Sequence, residues 1–181
     1  ATLSRSGVMG SMLDTGWAAL HFTGGQARVD SLRIGRPGFA VTGAGALAWQ
    51  RPAGGVVSLD FNADSLNSLD SLVGWLVGPD TTAQASERSL RGAAHVLLTL
   101  EGALDSLTIE ARGTTERLRW RDWEVPAGHA RLAYQPGPVP GVHFDATLDS
   151  LRYGGFAFGG ASASGRGTRD SLTWFARSRF G

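Results

Sequence analysis

Four histidines, His21, His95, His129 and His143, have the widest chemical reach of any side chains in this sequence. A metal centre needs such ligands clustered, as in His-Glu-x-x-His, and no spacing of that kind occurs. The chain has no Cys, so a thiolate zinc site, a disulfide framework and a thiol nucleophile are all excluded. It also has no Lys, which rules out Schiff-base chemistry and a Walker A phosphate loop. The Gly-rich stretch "GGASASGRG" (159–167) precedes no helical pattern and does not form a Gly-x-Ser-x-Gly nucleophile elbow. The carboxylates sit in Asp-Ser pairs or at polar positions of alternating segments, and none is singled out as a catalytic pair. These residues predict a non-enzymatic protein without catalytic residues, cofactor or metal. Arg117, Arg119 and Arg121 form a basic stripe, but Leu118 and Trp120 alternate with them and so face away. RNA bound on a sheet needs rings and arginines on one face. With a net charge of only +1, the reading is a solvated outer face and no nucleic-acid partner.

The segments that must position these residues are mostly strands. Val57, Leu59 and Phe61 alternate with Ser58, Asp60 and Asn62; Val96, Leu98, Leu100 and Leu104 share a face opposite His95, Thr99 and Glu101. Leu107 and Ile109 alternate with Thr108 and Glu110, and Phe144 and Leu148 flank polar Asp145 and Thr147. Period two with one apolar face predicts antiparallel strands, wet on one side. Hydrophobic residues make up 42% of the chain, enough for a core, and Gly is abundant at 26 of 181 residues, which points to many turns.

The tripeptide Asp-Ser-Leu begins at residues 30, 64, 70, 105, 149 and 170. Its flanking apolar residues lie three apart, so only a two-residue turn or a bulge places both on one face. A turn is predicted at Asp105-Ser106, and bulges at Asp30-Ser31 and Asp149-Ser150. "LRIGRPGFAV", "LRWRDWEV" and "LRYGGFAF" form an internal repeat whose turns join bulky residues into cross-strand pairs. One stretch departs from this pattern: Leu66, Leu69, Leu72, Val73 and Leu76 keep helical spacing. It predicts a short amphipathic helix over about 65–78, followed by a mobile polar loop over about 79–91. No apolar run is long enough for a membrane-crossing helix, so this segment is not expected to span a membrane.

Residues 90–138, "LRGAAHVLLTLEGALDSLTIEARGTTERLRWRDWEVPAGHARLAYQPGP", resemble the AsmA-like family, which includes TamB-like and bridge-like lipid transfer proteins of the Gram-negative envelope. The likeness lies in an apolar strand, Gly, a short Asp-containing turn, a second apolar strand, then "LRW" and a further hairpin; "LRIGRPGFAVTGAGALAW" and "LRYGGFAFGGASASGRG" look like further copies. It extends over most of 16–180 and suggests an internal segment of a longer repetitive domain. The fold it implies is mainly β: a long curled antiparallel β-meander of nine or ten strands, open as a groove, with the one short helix. The implied role is transport of phospholipid, or outer-membrane assembly, in the periplasm, by a protein whose full length is anchored in the inner membrane. Lipid acyl chains and outer-membrane assembly proteins are the implied partners. The lipid-binding face is expected to comprise Val57, Leu59, Phe61, Val96, Leu98, Leu100, Leu107, Ile109, Phe144 and Leu148. The rival expectation is a structural or adhesive β domain whose apolar face is only a closed core.

Overall fold

A computed structural model describes residues 2–8, 11–66, 90–137, 140–168 and 171–179. Strands alternating in polarity have one way to bury an apolar side while keeping every backbone group bonded: they pair with their neighbours into a sheet. The described residues do this almost throughout. β1 (Thr2–Val8), β2 (Ser11–Thr23), β3 (Gln26–Arg36), β4 (Phe39–Ala48) and β5 (Val56–Ala63) are followed by β6 (Arg91–Glu101), β7 (Thr108–Trp120) and β8 (Trp123–Gln135). β9 (Gly141–Leu148), β10 (Leu151–Tyr153), β11 (Phe156–Phe158), β12 (Ala161–Gly167) and β13 (Leu172–Ser178) complete it. All thirteen belong to one antiparallel sheet, in the order β1 to β9, then β12 and β13, with the small β10–β11 hairpin beside β8. The sheet is not closed, since β1 and β13 each pair on one side.

The protein is therefore mainly β, as expected, with thirteen described strands rather than nine or ten. The surplus comes from short strands such as β10 and β11, three residues each. No α-helix occurs among the described residues. The helix expected over about 65–78 lies outside them from residue 67 onward, and so does most of the loop expected over about 79–91, although β6 already opens at Arg91.

The Asp-Ser-Leu copies behave differently from one another. At Asp30-Ser31 the expected bulge is present: Val29 pairs with Gly45 and Leu32 with Gly43, so β3 spends one more residue than β4 and both apolar side chains return to one face. At Asp105-Ser106 the expected two-residue turn is absent. β6 and β7 pair last at Glu101–Thr108, and the loop between them holds a 3-10 turn, Leu104–Ser106, closed by Ser106 N–H donating to the Ala103 carbonyl at 2.9 Å. Leu104 consequently points to solvent instead of joining Leu100. Ala103 takes the buried place, in a bridge with Ala48; both are 1% exposed. At Asp149-Ser150 there is no bulge in register. Leu148 pairs with Gly128 and Arg152 with Glu124, four residues on along both strands, so the chain leaves β9 and enters β10 along the same partner, β8. Asp and Ser bond nearby backbone in any of these settings, so the tripeptide alone does not choose among them.

The repeat's turns do form. Tyr153 pairs with Phe156 around Gly154 and Gly155, at φ 54° and 88°, the primed geometry that matches strand twist. Trp120 pairs with Trp123 around Arg121-Asp122, and Arg121 adopts φ 55° despite its side chain. Gly155→Val should therefore cost about 1–2 kcal/mol locally, since a β-branched residue is held at positive φ. Amide hydrogen exchange would show it as lost protection at Tyr153 and Phe156, with β5 to β7 unchanged.

The apolar face as candidate functional site

In an antiparallel sheet, residues directly opposite each other share a face, so the register assigns every side chain to one side. Leu59 lies beside Leu98, and the row continues through Ala111, Leu132, Phe144, Gly165 and Trp174. In the other direction it runs through Gly43 and Leu32 to Ala18. Phe61, Val96, Ala146 and Ala176 belong to the next row, and Val57, Leu100, Ile109 and Leu172 to the one on the other side. Each row crosses ten strands, from β2 to β13, and none contains a charged residue. The Tyr134 phenol is the one polar side chain in the three rows.

Nine of the ten expected face residues lie together here. Val57, Leu59, Phe61, Val96, Leu98, Leu100, Ile109 and Phe144 occupy these three rows, and Leu148 the adjoining one with Gly128 and Ala161. Leu107 is not brought into a row; it follows the 3-10 turn, outside the strands. Ala111, Leu132 and Trp174 complete the middle row and were not among the ten expected face residues. The signal for Leu132 was present, in the alternation of "HARLAYQ".

Glycine gives the face its relief. A Cβ built at Gly165 would collide with the Phe144 ring, and one at Gly43 would collide with Leu59 Cδ2. At Gly128 it would lie 2.8 Å from Leu148 Cδ2. Large side chains lie sideways over glycines on neighbouring strands, so the high glycine content serves the sheet face as well as its turns. Burial is deepest at β4 and β5, where Val41, Val57 and Ala63 are buried. It falls towards the flanks: Leu20, Leu132, Leu172 and Trp174 are exposed. Among the described residues no second sheet or helix covers this face.

The opposite face carries the charge. Asp60 accepts from His95 at 3.1 Å, His143 and Asp145 pair at 2.7 Å, and Glu110 bridges Arg112 at 2.7 Å and Arg131 at 2.9 Å. These pairs explain why Asp60 and Glu110 are half-buried on the wet side of the sheet: their partners cover them. Arg119 is likewise engaged, donating to Glu124 at 2.9 Å. The hydrogen bond from Arg112, reinforced by the nearby Arg112 and Arg131 charges, holds the Glu110 carboxyl below the usual glutamate range, against a smaller opposing effect of burial. A lowered folded-state value gives stability that is present above the ordinary range and is lost as pH falls through the lowered value. Glu110→Gln should therefore flatten the acid limb of a stability–pH profile and leave the neutral-to-alkaline part parallel to wild type. Chemical denaturation across pH would check this.

The histidines show no convergence on a common point. His21, His95 and His143 each face a different aspartate, and no group of three His, Cys, Asp or Glu able to hold a metal occurs among the described residues. No helix of the described residues is long and apolar enough to cross a membrane. Comparison with family models, curated proteins and solved structures finds no match to this chain.

Proposed function

We propose that the uncharged face carries lipid acyl chains, and that the protein is a non-enzymatic component of a Gram-negative envelope, in the manner of the AsmA-like family that its sequence resembles. The observation that supports this reading is the set of three rows, ten strands long, without a charge. Neighbouring strands lie about 4.8 Å apart and same-face residues about 6.7 Å apart along a strand, so the strip measures about 40 Å by about 13 Å. Apolar side chains exposed singly need no explanation, but where the strip opens to solvent, at Leu20 on one flank and at Leu132, Leu172 and Trp174 on the other, its exposed residues belong to one continuous apolar surface, which marks an interaction site. An acyl chain in one bilayer leaflet reaches about 15 Å, half the hydrocarbon thickness. The strip has room for such chains lying along the rows, across the strands. Each methylene transferred from water contributes about 0.8 kcal/mol, with no polar contact required. Curling of the sheet would turn the strip into a groove and shield the outward side of the chain.

On this reading the headgroup stays at the rim or in water, the sheet serves as a guide for phospholipid transport or outer-membrane assembly, and the setting is the periplasm, with the full-length protein anchored in the inner membrane. Native mass spectrometry of the purified protein tests it. Phospholipid retained in complexes that survive delipidated buffer is the expected result. A protein that purifies free of lipid and takes none up from micelles leaves the face as the core of a structural or adhesive domain.

A further inference from the structure

One end of the sheet presents a feature that the acyl-chain reading does not use. Trp120 pairs with Trp123, Trp123 with Tyr153, and Tyr153 with Phe156, so four aromatic residues stand in one row across β7, β8, β10 and β11. The Trp123 and Tyr153 rings meet at a centroid distance of 4.4 Å. All four remain open to solvent, at 45%, 37%, 44% and 72% exposure respectively. They sit at the tips of two adjacent two-residue hairpins, where the chain can project furthest from the sheet. The Arg121 guanidinium lies over the Trp120 ring, 5.2 Å from its centroid. Arg119 and Arg152 both reach Glu124 on the other face, at 2.9 and 3.9 Å. Arg117 and Arg121 are exposed and have no carboxylate partner among the described residues. Within 116–124 and 151–156 four arginines, at 117, 119, 121 and 152, stand against three carboxylates, Glu116, Asp122 and Glu124.

We propose that this aromatic end docks on the surface of a bilayer containing anionic phospholipid, the rings entering the headgroup layer and the free arginines pairing with lipid phosphate. Indole and phenol rings favour the membrane–water boundary, where an apolar body and a polar edge are both accommodated. Cationic side chains near an anionic leaflet add attraction that salt screens. A folded protein partner fits less well. The row spans three inter-strand spacings, about 15 Å, whereas a stable protein interface covers about 800 Å² per partner. Insertion into headgroups needs no matching surface. The proposal stands independently of what the long apolar face carries.

Co-sedimentation with vesicles tests it, using phosphatidylcholine alone and phosphatidylcholine mixed with phosphatidylglycerol. Wild type should bind the mixed vesicles, less so at high salt, and bind the neutral ones poorly. Arg121→Glu combined with Phe156→Ser should reduce binding about tenfold or more. Phe175→Ser, at a comparably exposed ring on β13 that pairs with Ser164 in the row of Asp145, away from the apolar face, should leave it unchanged. In wild type, hydrogen exchange on mixed vesicles should slow at 120–123 and 153–156, a readout that needs no variant to fold. Absence of binding, equal binding to neutral vesicles, unchanged binding by the double variant, or no protection at these tips overturns the proposal.

Discussion

Leu98→Asp should lower the unfolding free energy by about 3 kcal/mol, and at the same time abolish lipid retention in whatever fraction stays folded. Leu98 sits mid-row, half-buried between Leu59 and Ala111, with no basic residue in its row to pair a carboxylate. The new group must therefore be ionised among apolar neighbours or be protonated, and either state costs stability. For a chain of this length the loss corresponds to a fall in melting temperature of about 6–12 °C. Phe144→Asp should act similarly, with an added loss because the ring that lies over Gly165 is removed. Arg119→Ala, at an exposed ion pair outside the three rows, should cost at most about 1 kcal/mol and leave lipid retention intact. Calorimetry paired with lipid analysis of the same samples separates the two effects. A folded Leu98→Asp protein with full lipid content would sink the acyl-chain reading.

Gly45→Val should be as damaging to stability for a different reason. Gly45 has φ 138°, opposite the register shift that Asp30-Ser31 introduces in β3. A Cβ there would overlap the Val56 carbonyl oxygen and lie 2.6 Å from Val57 Cα, both backbone atoms that cannot swing aside. Positive φ and backbone overlap together should cost about 3 kcal/mol or more, felt across β3, β4 and β5. Urea denaturation would measure it. A loss below about 0.5 kcal/mol, the ordinary range for surface substitutions, would mean that β4 and β5 separate easily and that the tight register there is not a structural requirement. The change lies in the apolar rows yet adds no charge, so folded Gly45→Val protein should still hold lipid, in contrast to Leu98→Asp.

Alternation made the mainly antiparallel architecture and nine of the ten face residues readable before any coordinates. It failed where the face is built from residues without side chains. In "FAVTGAGALA" the face positions Gly43 and Gly45 look like interruptions of the pattern, yet their emptiness is what admits Leu59 and the close approach of β5. "ASASGRG" contains no large apolar side chain, and β12 is a strand because Phe144 and Leu172 from its neighbours fill the space above its glycines. The Asp-Ser-Leu copies were legible only as sites where alternation must reset. Which device resets it depends on the partner strand: an extra residue against β4, a loop anchored by Ala103 against Ala48, or a strand break along β8. The basic stripe was also only half readable. Arg119 does reach an acidic partner, Glu124, but Arg121 occupies a turn and folds back onto Trp120, because a two-residue turn lifts its central residues out of the alternation.

Ala111 and Arg112 offer the most direct test, since they are adjacent in β7 and lie on opposite faces of the sheet. A photoreactive amino acid placed at each position in turn, and activated in cells or in reconstituted membranes, reports what touches each face. Phospholipid crosslinked from position 111 and not from position 112 is the predicted result. Crosslinks from neither position, or equally from both, contradict an acyl-chain path along the uncharged face.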